Sequence, residues 1–89
     1  MEIEDTCRAD VLARLRRVNG QVAGIIAMIE DGRHCADIVT QIAAVSRALD
    51  KAGFKVVSSG IQQCAAAVER GEEPPMDVER LEKLFLSLS

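Results

Sequence analysis

Aromatic rings are nearly absent from this chain. There is no Trp and no Tyr, and the only rings besides one imidazole are Phe54 and Phe85. Stacking platforms for single-stranded nucleic acid need such rings, so their scarcity argues against that mode of binding. Their scarcity also speaks against a typical enclosed enzyme pocket. No apolar run approaches the roughly 20 residues that a membrane span requires. The start of the chain, Met1-Glu-Ile-Glu-Asp5, is acidic and lacks the apolar core of a signal peptide. A cytoplasmic protein with no membrane partner is expected. Strand-like alternation, internal repeats and low-complexity tracts are missing as well.

What is present is short and apolar. The 89 residues make a single domain, 1–89. A chain of this length buries only about 60–65% of its unfolded surface and is marginal alone. Its apolar share of 48% fits a protein that buries surface against other copies. The net charge of −3 looks poor for a nucleic-acid binder, but its distribution does not. Residues 1–10 carry −3, residues 11–55 carry +3, and residues 56–89 carry −3. Positive charge is thus concentrated where a DNA surface could lie.

Two long helices and one short helix are predicted. In the first, from Thr6 to Glu30, Val11, Leu15, Val18, Val22, Ile25 and Ile29 step by four and three, a heptad seam. Asp5 or Thr6 caps its start and Asp31-Gly32 ends it. Gly20 and Gly24 lower helix propensity and suggest close helix packing there. The second helix runs from Cys35 to about Glu69. Ile38, Ile42, Val45, Leu49, Ala52 and Val56 continue the heptad pattern, with Gly53 and Gly60 as points where it could kink. Gly71-Glu-Glu-Pro-Pro75 is a break. Asp77 then caps a short helix with Val78, Leu81, Leu84 and Phe85 on its apolar face. The fold class is all-α.

Three cysteines are an odd number, and in a reducing compartment reactive or metal-binding thiols are favoured over structural disulfides. Cys35 and Cys64 fall on the same seam of the second helix, 29 residues apart. At 1.5 Å per residue that is roughly 43 Å, so they cannot meet within one chain. They meet if two copies pack antiparallel, with a dyad between Leu49 and Asp50. Cys35 opens a helix after Gly32-Arg33-His34, where free N–H groups and neighbouring cations favour thiolate. The plain alternative is that both are buried small hydrophobes. Cys7 reads as an incidental surface thiol, and His34 as a solvated turn residue beside Cys35.

The basic set comprises Arg14, Arg16 and Arg17 on the first helix and Arg47, Lys51 and Lys55 on the second. The last three step by four along one face. A solvated helix surface is the default for such charges. Phosphate contacts are the functional reading, with Gln21 and the arginines available for base edges. No helix-turn-helix signature is present.

The stretches Arg14-Leu-Arg-Arg-Val-Asn-Gly-Gln21, Gly32-Arg-His-Cys-Ala-Asp-Ile-Val39, Thr40-Gln-Ile-Ala-Ala-Val45 and Ala48-Leu-Asp-Lys51, followed by Cys64, resemble the CsoR/RcnR/FrmR family of bacterial repressors. The resemblance covers residues 10–70. It implies a three-helix protomer, an antiparallel four-helix-bundle dimer and a homotetramer. It also implies a repressor, not an enzyme, that releases double-stranded operator DNA when an inter-subunit thiol site is occupied. Arg14 and Lys51 match positions that contact DNA.

The departures point to a subtype. Copper sensors of the family present Cys, His and Cys to Cu(I); here the cysteines match Cys35 and Cys64, but the histidine position is Gly60. The supporting Tyr and Glu appear as His34 and Arg80. Nickel and cobalt sensors need several histidines, and formaldehyde sensors need Pro after Met1, where this chain has Glu2. A Cys35/Cys64 dithiol without a third ligand resembles the persulfide-sensing CstR-like branch. There, persulfide or other sulfane sulfur would link the thiols into a di- to tetrasulfide, with no cofactor required. The alternative is Cu(I) held by Cys35 and Cys64, since soft thiolates suit it.

Overall fold

The structure is a computed structural model and describes residues 2–88. It contains α1 (Asp5–Glu30), α2 (Cys35–Glu69) and α3 (Val78–Ser87), with no strand among the described residues. The expected all-α, three-helix protomer is what folds. α1 begins one residue before the predicted start. Neither Asp5 nor Thr6 caps it; the Glu4 carboxylate accepts from the Thr6 N–H at 3.3 Å. The physical reason is that the turn is already helical at Asp5, leaving Glu4 as the last extended residue. Asp77 caps α3 as expected, accepting from the Glu79 N–H at 3.1 Å.

Gly32 ends α1 with φ +72°. Its N–H donates to the Ile29 carbonyl, and the Arg33 N–H donates to the Met28 carbonyl. This Schellman-type closure turns the chain back, so that α2 runs antiparallel to α1.

The two heptad seams are then divided. Val11, Val18 and Ile25 of α1 are buried, as are Val45 and Ala52 of α2, with Ile38 and Ala48 packed against the core. The alternate positions stay open: Leu15, Val22 and Ile29 on α1, and Ile42 and Leu49 on α2. Cys35 belongs to that open stripe, seven residues before Ile42. One heptad position serves the sister helix, and the other has no partner within the protomer. Gly20 and Gly24 are exposed, and an added Cβ at either would meet nothing within 4 Å. The predicted close packing there does not occur in the protomer, because these positions point away from α2.

α2 passes through Gly53 and Gly60 without interruption. Instead of kinking the helix, these residues seat α3. A Cβ on Gly53 would lie 2.9 Å from a Leu88 methyl. Gly60 is buried and lines an apolar hollow with Val56, Val57, Met76, Leu81 and Leu84. Phe54 and Phe85 meet edge to face, 4.9 Å between centroids.

The protomer is 58 × 23 × 12 Å and exposes 6572 Å². A compact monomer of this mass would expose about 5,100 Å². The elongated shape and the open halves of both seams contribute to the excess.

Candidate functional site

The first residue of α2 is Cys35, and it is exposed. His34 is the N-cap, in extended conformation with no side-chain capping bond; its carbonyl accepts from the Asp37 and Ile38 N–H groups. Cys64 lies near the far end of the same helix and is only 1% exposed. Its Sγ–H donates to the Met76 carbonyl at 3.4 Å. The open seam expected around Cys64 is therefore covered on this half of α2. The segment leading into α3 crosses it, because Pro74-Pro75 and Asp77 direct the chain back over the small residues of α2. Within one protomer the two thiols face different surroundings, and no group of three His, Cys, Asp or Glu side chains forms a metal site among the described residues.

This difference has a measurable consequence. In the native protein Cys35 should react with iodoacetamide at least about tenfold faster than Cys64, because alkylating Cys64 first requires local opening. Peptide mapping over a time course checks this, with the denatured chain as reference. Equally fast native rates would mean that the cover over Cys64 is not maintained in solution, and equally slow ones that pairing of copies shields Cys35 as well.

The basic set of the two helices, Arg16 excepted, lines two adjoining hollows. Arg14, Arg17 and Gln21 of α1 and Arg47 and Lys51 of α2 line one shallow hollow, floored by Val18, Ala44 and Ala48. Arg14 and Lys51 also line a second, larger cleft of about 660 Å³, which continues to Lys55. All six predicted DNA-contacting residues thus share one continuous surface across the two helices. Arg17, Arg47 and Lys51 form no ion pair among the described residues. The small Ala44 and Ala48 side chains leave the long cations standing above the helix surface.

Sequence reasoning missed one member of this surface. The Asp10 carboxylate meets Arg14 Nε at 3.2 Å and Lys55 Nζ at 3.1 Å. The first pair is an i, i+4 spacing and was readable. The second joins α1 to α2 and needed the fold. Lys55, and then Arg14, hold the Asp10 carboxyl below its usual range. A lowered carboxylate favours the paired state at neutral pH, and that contribution is lost as pH falls through the lowered value. Cys7 also departs from its expected role as an incidental surface thiol. It is half-buried, and its Sγ–H donates to the Lys55 carbonyl at 3.5 Å, fastening the start of α1 to α2.

Residues 7–87 match the family model described as metal-sensitive transcriptional repressor. The chain is 44% identical over 59 residues to the copper-sensing transcriptional repressor RicR of Mycobacterium tuberculosis, covering 65% of this chain and 62% of that protein. It is 38% identical over 60 residues to the copper-sensing transcriptional repressor CsoR of Bacillus subtilis, covering 66% and 59%. With the CsoR of Mycobacterium ulcerans it shares 33% identity over 66 residues, covering 74% and 56%. The match thus spans about three fifths of the length of these relatives. No solved structure matches the chain significantly. A three-helix all-α protomer, a continuous basic surface and a match over nearly the whole length agree: the chain belongs to the metal-sensitive transcriptional repressor family, a family of regulators and not of enzymes.

Proposed function

We propose that this protein is a cytoplasmic repressor that binds double-stranded operator DNA through Arg14, Arg17, Gln21, Arg47, Lys51 and Lys55. Its inducer acts at a two-thiol site made of Cys35 from one copy and Cys64 from another. The observation that carries this reading is the open apolar stripe, in which Cys35, Ile42 and Leu49 recur every seven residues beside Leu15, Val22 and Ile29. An excess of about 1,500 Å² per protomer, if covered on pairing, is the size of an obligate interface. In an antiparallel pair with the dyad between Leu49 and Asp50, Ile42 of one copy lies level with Val57 of the other. The same register brings Cys35 level with Cys64, and the two thiols share an inducer once the Met76 segment that covers Cys64 in the protomer moves aside. Two such dimers make the expected tetramer.

For the inducer, the names of the relatives back Cu(I) better than persulfide. Two thiolates are soft donors and would hold Cu(I) in a line across the pair. The donor set has no third member at position 60, because Gly60 stands there. That same residue favours the second reading, persulfide. The Cys35 thiolate would attack the outer sulfur of a persulfide RSSH, releasing RSH and leaving a Cys35 persulfide. Cys64 of the other copy would then attack the Cys35 sulfur, forming a disulfide and releasing H₂S; longer bridges take one more persulfide per added sulfur. With either inducer, DNA release follows from favouring an arrangement in which the basic surfaces no longer match the duplex.

The test is anisotropy with labelled duplex across a salt series, followed by anaerobic addition of Cu(I) or of glutathione persulfide. Duplex affinity should fall steeply with salt, and Lys51→Ala should weaken binding on every sequence, reducing the salt slope by about 1 per protomer engaged. Binding that ignores salt would refute the DNA-binding reading. Release by stoichiometric Cu(I) alone selects copper. Release by persulfide, with a covalent dimer mapped to Cys35 and Cys64, selects sulfur.

A further inference from the structure

We propose that Asp10 is a built-in competitor for DNA phosphate, a carboxylate that occupies the anion seat between Arg14 and Lys55 until a backbone phosphate displaces it. The inference rests on the duplex-binding reading above and adds a residue that tunes it.

Both oxygens of one carboxylate are used on cations from two helices. Oδ1 takes Arg14 Nε at 3.2 Å, and Oδ2 takes Lys55 Nζ at 3.1 Å. A phosphate offers the same thing: two anionic oxygens a short distance apart, one for each cation. The side chains of Arg14, Lys55 and Asp10 are 32%, 42% and 44% exposed, so a duplex can reach the seat. The rest of the surface differs. Arg17, Arg47 and Lys51 carry no acidic partner among the described residues. Part of the surface is therefore open to phosphate, while Arg14 and Lys55 share one carboxylate that cancels half of their charge.

The energetic consequence is specific. Binding of a cation to DNA gains from release of condensed counterions. Arg14 and Lys55 must first give up Asp10, so their gain is reduced by the pairs they break. Asp10 thereby weakens binding to any duplex and lessens the salt slope. A repressor with less surplus affinity needs a smaller differential interaction from its inducer to let go.

The experiment is anisotropy of the full chain and of Asp10→Asn on a fluorescein-labelled mixed-sequence duplex over a salt series. Asn keeps the shape and removes the charge. We expect Asp10→Asn to bind about three- to tenfold tighter at low salt, with a slope steeper by about 1–2 per protomer engaged. Asp10→Ala, which leaves no amide beside the cations, should move affinity in the same direction. Glu4→Gln is the matched control: Glu4 lines the same cleft but pairs with no cation among the described residues, and the amide oxygen of Gln can keep its capping bond to the Thr6 N–H. It removes the same unit of charge without freeing an ion pair, and should stay within about twofold of the parent. Equal gains in Asp10→Asn and Glu4→Gln would reduce the effect to net charge and overturn the proposal. Weaker binding by the Asp10 variants would overturn it too, by making Asp10 a positioning residue for the cations. Unchanged affinity leaves Asp10 as a mere tie between α1 and α2. If the parent chain binds no duplex at any salt, the proposal falls together with the reading beneath it. If the parent binds with a salt slope and only the variants fail to shift, this inference alone fails.

Discussion

Cys35→Ser should bind duplex within about twofold of the parent and should no longer let go when inducer is added. Cys35 sits at the start of α2, exposed and apart from the basic surface, so a serine there removes no phosphate contact and opens no cavity. The coupling between an inducer and DNA in such a system is typically 5- to 150-fold in affinity. In the variant that factor should collapse to about 1, because the proposed inducer site needs both thiols. Paired titrations of operator DNA, with and without inducer, measure the factor directly. A variant that loses DNA binding would place Cys35 in the fold or the interface instead of the switch. One that is still released normally would remove Cys35 from the inducer site.

A second large effect is expected on assembly. Ile42 is 51% exposed in the protomer, so Ile42→Glu leaves the α1–α2 core untouched. On pairing, the new carboxylate would be buried without a partner. Such a charge costs about 3 kcal/mol or more, and a symmetric pair carries it twice. The dimerisation constant should therefore weaken by about four orders of magnitude. Sedimentation velocity over a concentration series reads this, and duplex affinity should drop with it, because a single copy presents only its own cations. A parent-like mass for Ile42→Glu would show that the open stripe is not the face on which copies meet.

The helices were legible in advance, and so was the class of protein. Heptad steps in α1 and α2, the stops at Gly32 and Gly71 and the Asp77 cap are local features, set by residues within a turn or two of one another. The stripe of Arg47, Lys51 and Lys55 was likewise readable, because spacing by four puts side chains on one face whatever the fold does. The identity of an inducer does not follow from helical periodicity.

Three things depended on the tertiary arrangement. A heptad pattern says that two positions are apolar, not which of them meets the sister helix; packing of α1 on α2 assigned Val18, Ile25 and Val45 inward and left Leu15, Val22, Ile42 and Leu49 open. Cys35 and Cys64 look alike on one helical face, yet Cys64 is covered, because the chain after Gly71 returns and lays Met76 over it. Asp10 and Lys55 are 45 residues apart in the sequence and become partners only when α2 folds back along α1. Sequence by itself determined the helices, their faces and their charges, since those follow from short-range periodicity. Only the tertiary structure decided which face is buried, which thiol is shielded and which cations are already taken, since those depend on contacts between residues far apart in the chain.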